Sequence, residues 1–222
     1  MLRRALPALL VLALAACGNL VPGGRAPAKP QLATPRPIAV NPEARQCLAE
    51  LGAAGARFSP VADRYYGAGC STVGTVSLAA LQGDDARFAL ANLGPVTCPL
   101  AETTAAWARF GVDRAARQVL GSALARIETM GSYSCRDVAG SGRRSAHATA
   151  QAIDVAAFIL ADGRRVSVLG NWIDGNAQER RFLRLVHQSA CRRFGTVLGP
   201  DYNAAHKNHL HLEAGHAGGF CR

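Results

Sequence analysis

His206-Lys-Asn-His209-Leu210-His211-Leu212-Glu213 is the stretch from which the fold of this chain reads outward. Side chains alternate along a strand, so His209, His211 and Glu213 share one face while Leu210 and Leu212 take the other. With the leucines packed into a core, two imidazoles project together from a rigid support. Two histidines two apart on a strand have the spacing of metal ligands; the competing reading is a pair of exposed surface histidines. His187, mid-helix, and His216, in a Gly-rich tail, read as structural or exposed.

A second cluster lies upstream, in Ser145-Ala-His147-Ala-Thr-Ala-Gln-Ala152-Ile153-Asp154-Val155. Asp154 interrupts an apolar run, on the face opposite Ile153 and Val155. An unpaired buried carboxylate is costly, so it needs a cation or several donors. Arg143 or Arg144 would be the plain partner. Combined with the late histidines, a sharper reading emerges: His147, Asp154 and His211 supply two nitrogens and a carboxylate to Zn²⁺, with a fourth position left for water. Such an ion lowers the pKa of water and polarises a carbonyl. His209, beside the ligands but unused, is then placed to move a proton.

The pattern Ser-x-His-x6-Asp with a late His-x-His resembles the zinc D-Ala-D-Ala metallopeptidases and murein endopeptidases, whose fold the hedgehog signalling domain shares. A closer resemblance is to the bacterial extensin-like C-terminal domain family. It is carried by Gly131-Ser-Tyr-Ser-Cys-Arg136, by His147 through Phe158, and by Leu198-Gly-Pro-Asp-Tyr-Asn203 onward to Leu212. The resemblance implies zinc on His147, Asp154 and His211, with His209 as general base and His206 close by. It makes Arg136 the group that binds substrate and supports a developing oxyanion; a surface ion pair is the alternative for Arg136, and a solvent position for His206. Two departures stand out. Ala150 occupies a place where the pattern carries Gly, and positions 206–210 hold no acid to serve as base.

Around these motifs the chain reads as α+β, a small antiparallel sheet flanked by helices, resembling the zinc-peptidase and hedgehog fold. Asn41-Pro42-Glu43 opens a helix that Gly52 stops. Val73–Leu81 and Ala123–Tyr133 have strand character. Pro99–Leu120 reads as helix, with Gly111 as a point of interruption. Residues 137–146 read as a mobile loop by composition. Ala161-Asp162-Gly163 links two strands as a hairpin, and Gln178–Phe194 carries a helical apolar stripe.

Of seven cysteines, Cys17 stands apart, and the other six suit disulfides in an exported protein. Pairing chain neighbours gives Cys47–Cys70, Cys98–Cys135 and Cys191–Cys221. No CxxC pair occurs, which argues against a thiolate metal site.

Residues 1–16 form a basic-then-apolar leader, and Leu14-Ala-Ala-Cys17 resembles the bacterial lipobox, which implies a lipidated Cys17. Residues 17–42 are Pro-rich and read as a tether, and 43–222 as the folded domain. Gly18 after the cysteine resembles lipoproteins sent to the outer membrane. Without the leader's two arginines, 25 basic residues become 23, against 15 acidic, for a net charge of +8. That charge favours anionic envelope surfaces and peptidoglycan stem peptides. Export and scattered arginines exclude nucleic acid as a partner. The functional expectation is a zinc-dependent hydrolase of peptidoglycan peptide bonds. The alternative is a non-catalytic wall- or protein-binding lipoprotein with a structural metal.

Overall fold

The computed structural model describes residues 42–222. The leader, Cys17, Asn41 and the tether up to residue 41 lie outside the described residues. Pro42 and Glu43 occupy the first turn of α1 (Pro42–Ala53), where proline's missing N–H costs nothing and an acid suits the helix dipole. Contrary to expectation, Gly52 does not stop this helix. Gly55 does, at φ +77°, with Ala56 N–H bonded to Leu51 O and Gly55 N–H to Gly52 O, a Schellman end.

The chain then runs through β1 (Arg57–Pro60), β2 (Arg64–Gly67), β3 (Cys70–Thr72), β4 (Thr75–Gln82), β5 (Arg87–Ala91) and β6 (Val96–Thr97) into α2 (Cys98–Trp107). After α2 the turn widens to π-helical over Ala108–Asp113 and Ala116–Leu120, and Gly121 ends it at φ +71°. β7 (Leu124–Gly131), β8 (Ala152–Leu160) and β9 (Arg165–Ser167) follow. The last part holds α3 (Val168–Asn171), α4 (Ala177–Cys191), β10 (Thr196–Leu198), β11 (Leu210–Glu213) and β12 (Phe220–Cys221). Asn176 and Glu179 form a reciprocal capping box on α4.

The sheet departs from the expected small antiparallel one. Ten strands join in the order β1-β4-β5-β7-β8-β11-β10-β12, with β6 on β4 and β9 on β8, and the pairs β5·β7 and β10·β12 are parallel. The class remains α+β. The strands missing from the sequence reading, β1, β5, β6, β10 and β12 among them, are two to five residues long and show no sustained alternation. The β8–β9 hairpin turns where Asp162-Gly163 indicated, with Gly163 at φ +87°.

Ile153, Val155, Phe158 and Leu160 of β8, with Leu210 and Leu212 of β11, point into one core. The helices complete it. Trp107 meets Phe158 and Phe194 edge-on at ring distances of 6.2 and 5.9 Å, and its indole N–H bonds to Val186 O at 3.1 Å. Asp154 and His211 therefore lie on the other face of the sheet. Among the described residues no helix is long and apolar enough to cross a membrane.

Disulfides join Cys47–Cys98, Cys70–Cys135 and Cys191–Cys221, so two of the three expected pairings are corrected. Packing of α1 on α2, not chain order, brings Cys47 to Cys98. Residues 137–146 lie outside the named strands, as a loop would. They form a hydrogen-bonded hairpin, with Ser145 N–H to Arg136 O, Val138 N–H to Arg143 O, and an Asp137–Arg144 ion pair at 2.9 Å.

Gly111 marks a close approach of its helix to α4, not a break in itself. A Cβ there would overlap Ser189 Oγ and sit 2.9 Å from Ser189 Cβ. Gly111→Ala should therefore lower the urea midpoint, by about 1–3 kcal/mol of stability. Adding Ser189→Ala should recover part of that loss, because the hydroxyl is the nearer obstacle.

Candidate metal centre

The first ligand candidate rides on a single 3₁₀ turn, Ala146–Thr149, capped by the Ser145 hydroxyl, which accepts from His147 N–H. Ala150 closes the turn at φ +56°, a left-handed conformation costing roughly 1–2 kcal/mol without glycine. Its carbonyl is held by Thr97 N–H at 3.0 Å. His147 is thus fixed from both sides, and it is buried. The other two candidates need no special turn. Asp154 on β8 and His211 on β11 are direct partners in the antiparallel register.

The three side chains converge. His147 Nε2 lies 3.2 Å from His211 Nδ1 and 3.3 Å from Asp154 Oδ2, and His211 Nδ1 lies 2.8 Å from Asp154 Oδ1. A tetrahedral ion with bonds of about 2.0–2.2 Å sets its ligand atoms about 3.3–3.6 Å apart. Two of the separations approach that span, and the third is a charge-assisted hydrogen bond. The outward nitrogens are committed elsewhere. His147 Nδ1–H donates to Ser132 O at 2.6 Å, and His211 Nε2–H donates to Glu213 Oε1 at 2.9 Å. Those bonds fix both tautomers and leave Nε2 of His147 and Nδ1 of His211 facing the common point, with a carboxylate as third donor. Such a set requires a positive charge at its centre, a proton or a metal ion. Two further groups with ligand atoms in reach, His187/Cys191/Cys221 and Cys47/Cys98/Glu102, each contain a disulfide, whose sulfurs are not thiolates.

Burial works against charge on both Asp154 and His211, and their hydrogen bonds prevail. The imidazoles of His147 and His211 beside it hold the Asp154 carboxyl below its ordinary range. Bonds to Asp154 and Glu213 lift His211 from 6.5 to about 9. Without metal, then, His211 is an imidazolium whose Nδ1 proton sits where a cation would. Glu213 is lowered, chiefly by its bond from His211.

Asp154 and His211 line a cleft of about 560 Å³, with Arg136, Tyr202, His206 and His209 among its walls, while His147 is buried behind them and is not part of the lining. His209 Nε2 is 3.5 Å from Asp154 Oδ1, and its Nδ1 bonds to Asn208 Oδ1 at 2.9 Å. His206 Nδ1 bonds to Asn203 Oδ1 at 2.7 Å. Burial, then neighbouring positive charge, pushes both imidazoles down, His206 to about 4, and Arg136 is near enough to contribute to each shift. Arg136 itself makes no ion pair among the described residues. Nor does Asp154 pair with Arg143 or Arg144: Arg144 is bound to Asp137, and Asp154 is ringed by His147, His209 and His211. His187 is a packing residue, edge-on to Trp172 at 5.6 Å and bonded to Arg222 O.

Sequence reasoning assigned no role to Glu213 or Ser132, which orient the two histidines. Glu213 had a signal, since it shares a strand face with His211. Ser132 acts through a backbone carbonyl and left none.

The family described as "Extensin-like protein C-terminus" matches residues 45–222, and the chain belongs to that family. No curated protein and no solved structure matches it.

The opposed shifts give the metal-free protein a pH signature. His211, raised above its unfolded value of 6.5, adds stability that is complete below pH 6.5 and lost as pH climbs through about 9. His206, lowered to about 4, adds stability above pH 6.5 that is lost as pH falls through its folded value. In chelator, the urea midpoint should peak near pH 6.5 on account of this cluster. Glu213→Gln, measured the same way, should flatten the alkaline limb; it should also remove the carboxylate's own acid loss below about pH 4.5 while keeping the part of the acid limb that His206 sets.

Proposed function

We propose that this member of the extensin-like family is a zinc-dependent hydrolase of the cell envelope, cutting amide bonds of peptidoglycan stem peptides near a D-amino acid. In this reading the chain is held by a lipidated Cys17 on the periplasmic face of the outer membrane. The observation that carries the proposal is the convergence of His147, Asp154 and His211, the last two of which line a cleft that also holds two neutral imidazoles and an uncommitted arginine.

Zinc, when bound there, would supply Lewis acidity to the substrate carbonyl and a lower pKa to water. The remaining work belongs to the chain. Asp154 and the two histidines form the ligand set, oriented by Ser132 and Glu213. His209 is kept neutral by burial, and its Nδ1–H is fixed by Asn208, so Nε2 is free to accept a proton over the reacting centre and return it to the leaving amine. Arg136 faces the same space and would bind the oxygen on which negative charge grows, an interaction strengthened in a water-poor cleft. His206 extends the proton path.

One observation favours a second reading, a non-catalytic binder of wall peptide with a structural metal. No carboxylate lining the cleft is free to act as base: Asp154 is bonded to histidine and Glu213 to His211. Catalysis therefore rests on imidazole alone.

The two readings part on purified murein. The hydrolase reading expects soluble peptide products by mass spectrometry, abolished by chelation and restored by zinc, with a rate about 10²–10⁴ lower for His209→Ala. Zinc content by elemental analysis should fall with His147→Ala and stay near one per chain with His209→Ala. Murein that is bound but never cut by the zinc-replete parent would establish the binder.

A further inference from the structure

The 136–145 hairpin has two faces, and they carry different charge. Arg136 opposes Ser145 and Val138 opposes Arg143 through backbone hydrogen bonds, while Asp137 pairs with Arg144 as a β-bridge between them. Side chains alternate across such a ladder. Arg136, Val138, Arg143 and Ser145 all line the cleft, whereas Asp137 and Arg144 are absent from its walls and neutralise each other at 2.9 Å. The hairpin thus directs two guanidinium groups into the cleft and keeps its only acid behind.

These two arginines are diagonal neighbours, a relation that spaces side-chain origins by about 7–8 Å. Neither has an ion pair among the described residues. Arg136 opposes Ser145, the residue that caps the turn carrying His147, and so stands at the metal-centre end of the hairpin. Arg143 stands opposite Val138, one step nearer the tip of the hairpin. The same cleft is lined by Tyr202 and Phe220, packed edge-on at 5.8 Å and each nearly half exposed. A cleft lined by aromatic rings and two guanidinium groups unpaired among the described residues, whose carboxylates are both bonded to His211, suits a peptide that is itself anionic.

We infer that Arg143 is a ligand-binding residue that takes a free carboxylate of the peptide occupying this cleft, at a subsite separate from the group bound by Arg136. The inference deepens the reading proposed above and rests on it for the peptide nature of the ligand. It narrows the ligand class to peptides bearing an unamidated carboxylate beyond the bond nearest the metal centre. Guanidinium is suited to that task, since its planar fork meets a carboxylate with two parallel hydrogen bonds.

Equilibrium binding of the full chain to muropeptides released from murein by a muramidase tests this directly. The same muropeptides, with their carboxylates converted to amides, serve as the matched probe. The parent should bind the native set about tenfold more tightly than the amidated set, as loss of a charged hydrogen-bonded pair implies. Arg143→Ala should abolish that difference with its thermal midpoint unchanged, and Arg143→Lys should keep part of it. Arg144→Ala, on the far face, should discriminate as the parent does. Three results would overturn the assignment: no discrimination or no binding by the parent, full discrimination by Arg143→Ala, or an equal loss from Arg144→Ala, which would reduce the effect to net charge. Murein cleavage by the zinc-replete parent is scored separately. Cutting without carboxylate discrimination removes this inference alone, whereas discrimination without cutting removes the hydrolase alone.

Discussion

The candidate site depends on the pairing of β8 with β11, where Asp154 stands opposite His211. That register is set on the other face of the sheet. Ile153 pairs with Leu212 and Val155 with Leu210, and all four are buried in the core shared with α2 and α4. Burying side chains of this size stabilises by roughly 1.5–3 kcal/mol each. A slip of one residue would turn the apolar set outward and carry Asp154 inward, losing the burial and stranding a carboxylate together. Core packing therefore fixes where two of the three donors point, with no contribution required from the site itself.

His147 is placed by different means. Its turn is held by the Ser145 cap, by the Thr97–Ala150 hydrogen bond and by Ser134 N–H bonded to His147 O. Nearby, the Cys70–Cys135 disulfide ties β3 to the segment between Ser134 and Arg136. These links fasten the strand-end segment and the turn to each other, so His147 and Arg136 belong to one braced unit. Ala150 in the left-handed region is the strained member of that unit. Its strain is tolerated because the surrounding hydrogen bonds and full burial over-determine the backbone there.

The parity of the central strands was legible because alternation in Ile153-Asp-Val155 and Leu210-His-Leu212 is a strong local signal. The hairpin at Asp162-Gly163 was legible for a similar reason: the left-handed position has a residue type that announces it. What escaped was set by contacts distant in the chain. β1, β5 and β6 are short and make long-range pairings, which hid both the width of the sheet and its parallel pairs. Cys47 finds Cys98 through helix packing, across 51 positions, which spacing does not encode. The Gly- and Ser-rich composition of 137–146 signalled a loop, while the two backbone hydrogen bonds and one ion pair that fold it back as a hairpin left no pattern of their own. At the site, the three donors carried a sequence pattern, while the Ser132 carbonyl that fixes one of them had no side-chain signature.

The arrangement of charge bears on why such a set of groups would be assembled at all. Two imidazoles, each with its outward N–H committed, and one carboxylate share a buried point. Left without a cation there, lone pairs and negative charge would face one another in a medium that screens them poorly. In the metal-free protein His211 supplies that cation by holding a proton well above its ordinary range. A divalent ion would do the same with more charge, and would have to displace that proton, so its apparent affinity should strengthen as pH rises toward about 9. The neighbouring His206 and His209 are pushed the opposite way, toward neutrality, by burial and by the positive charge close to them. One compact cluster thus sorts its imidazoles into a charge-bearing class and a proton-accepting class, the separation that general-base chemistry beside a metal requires.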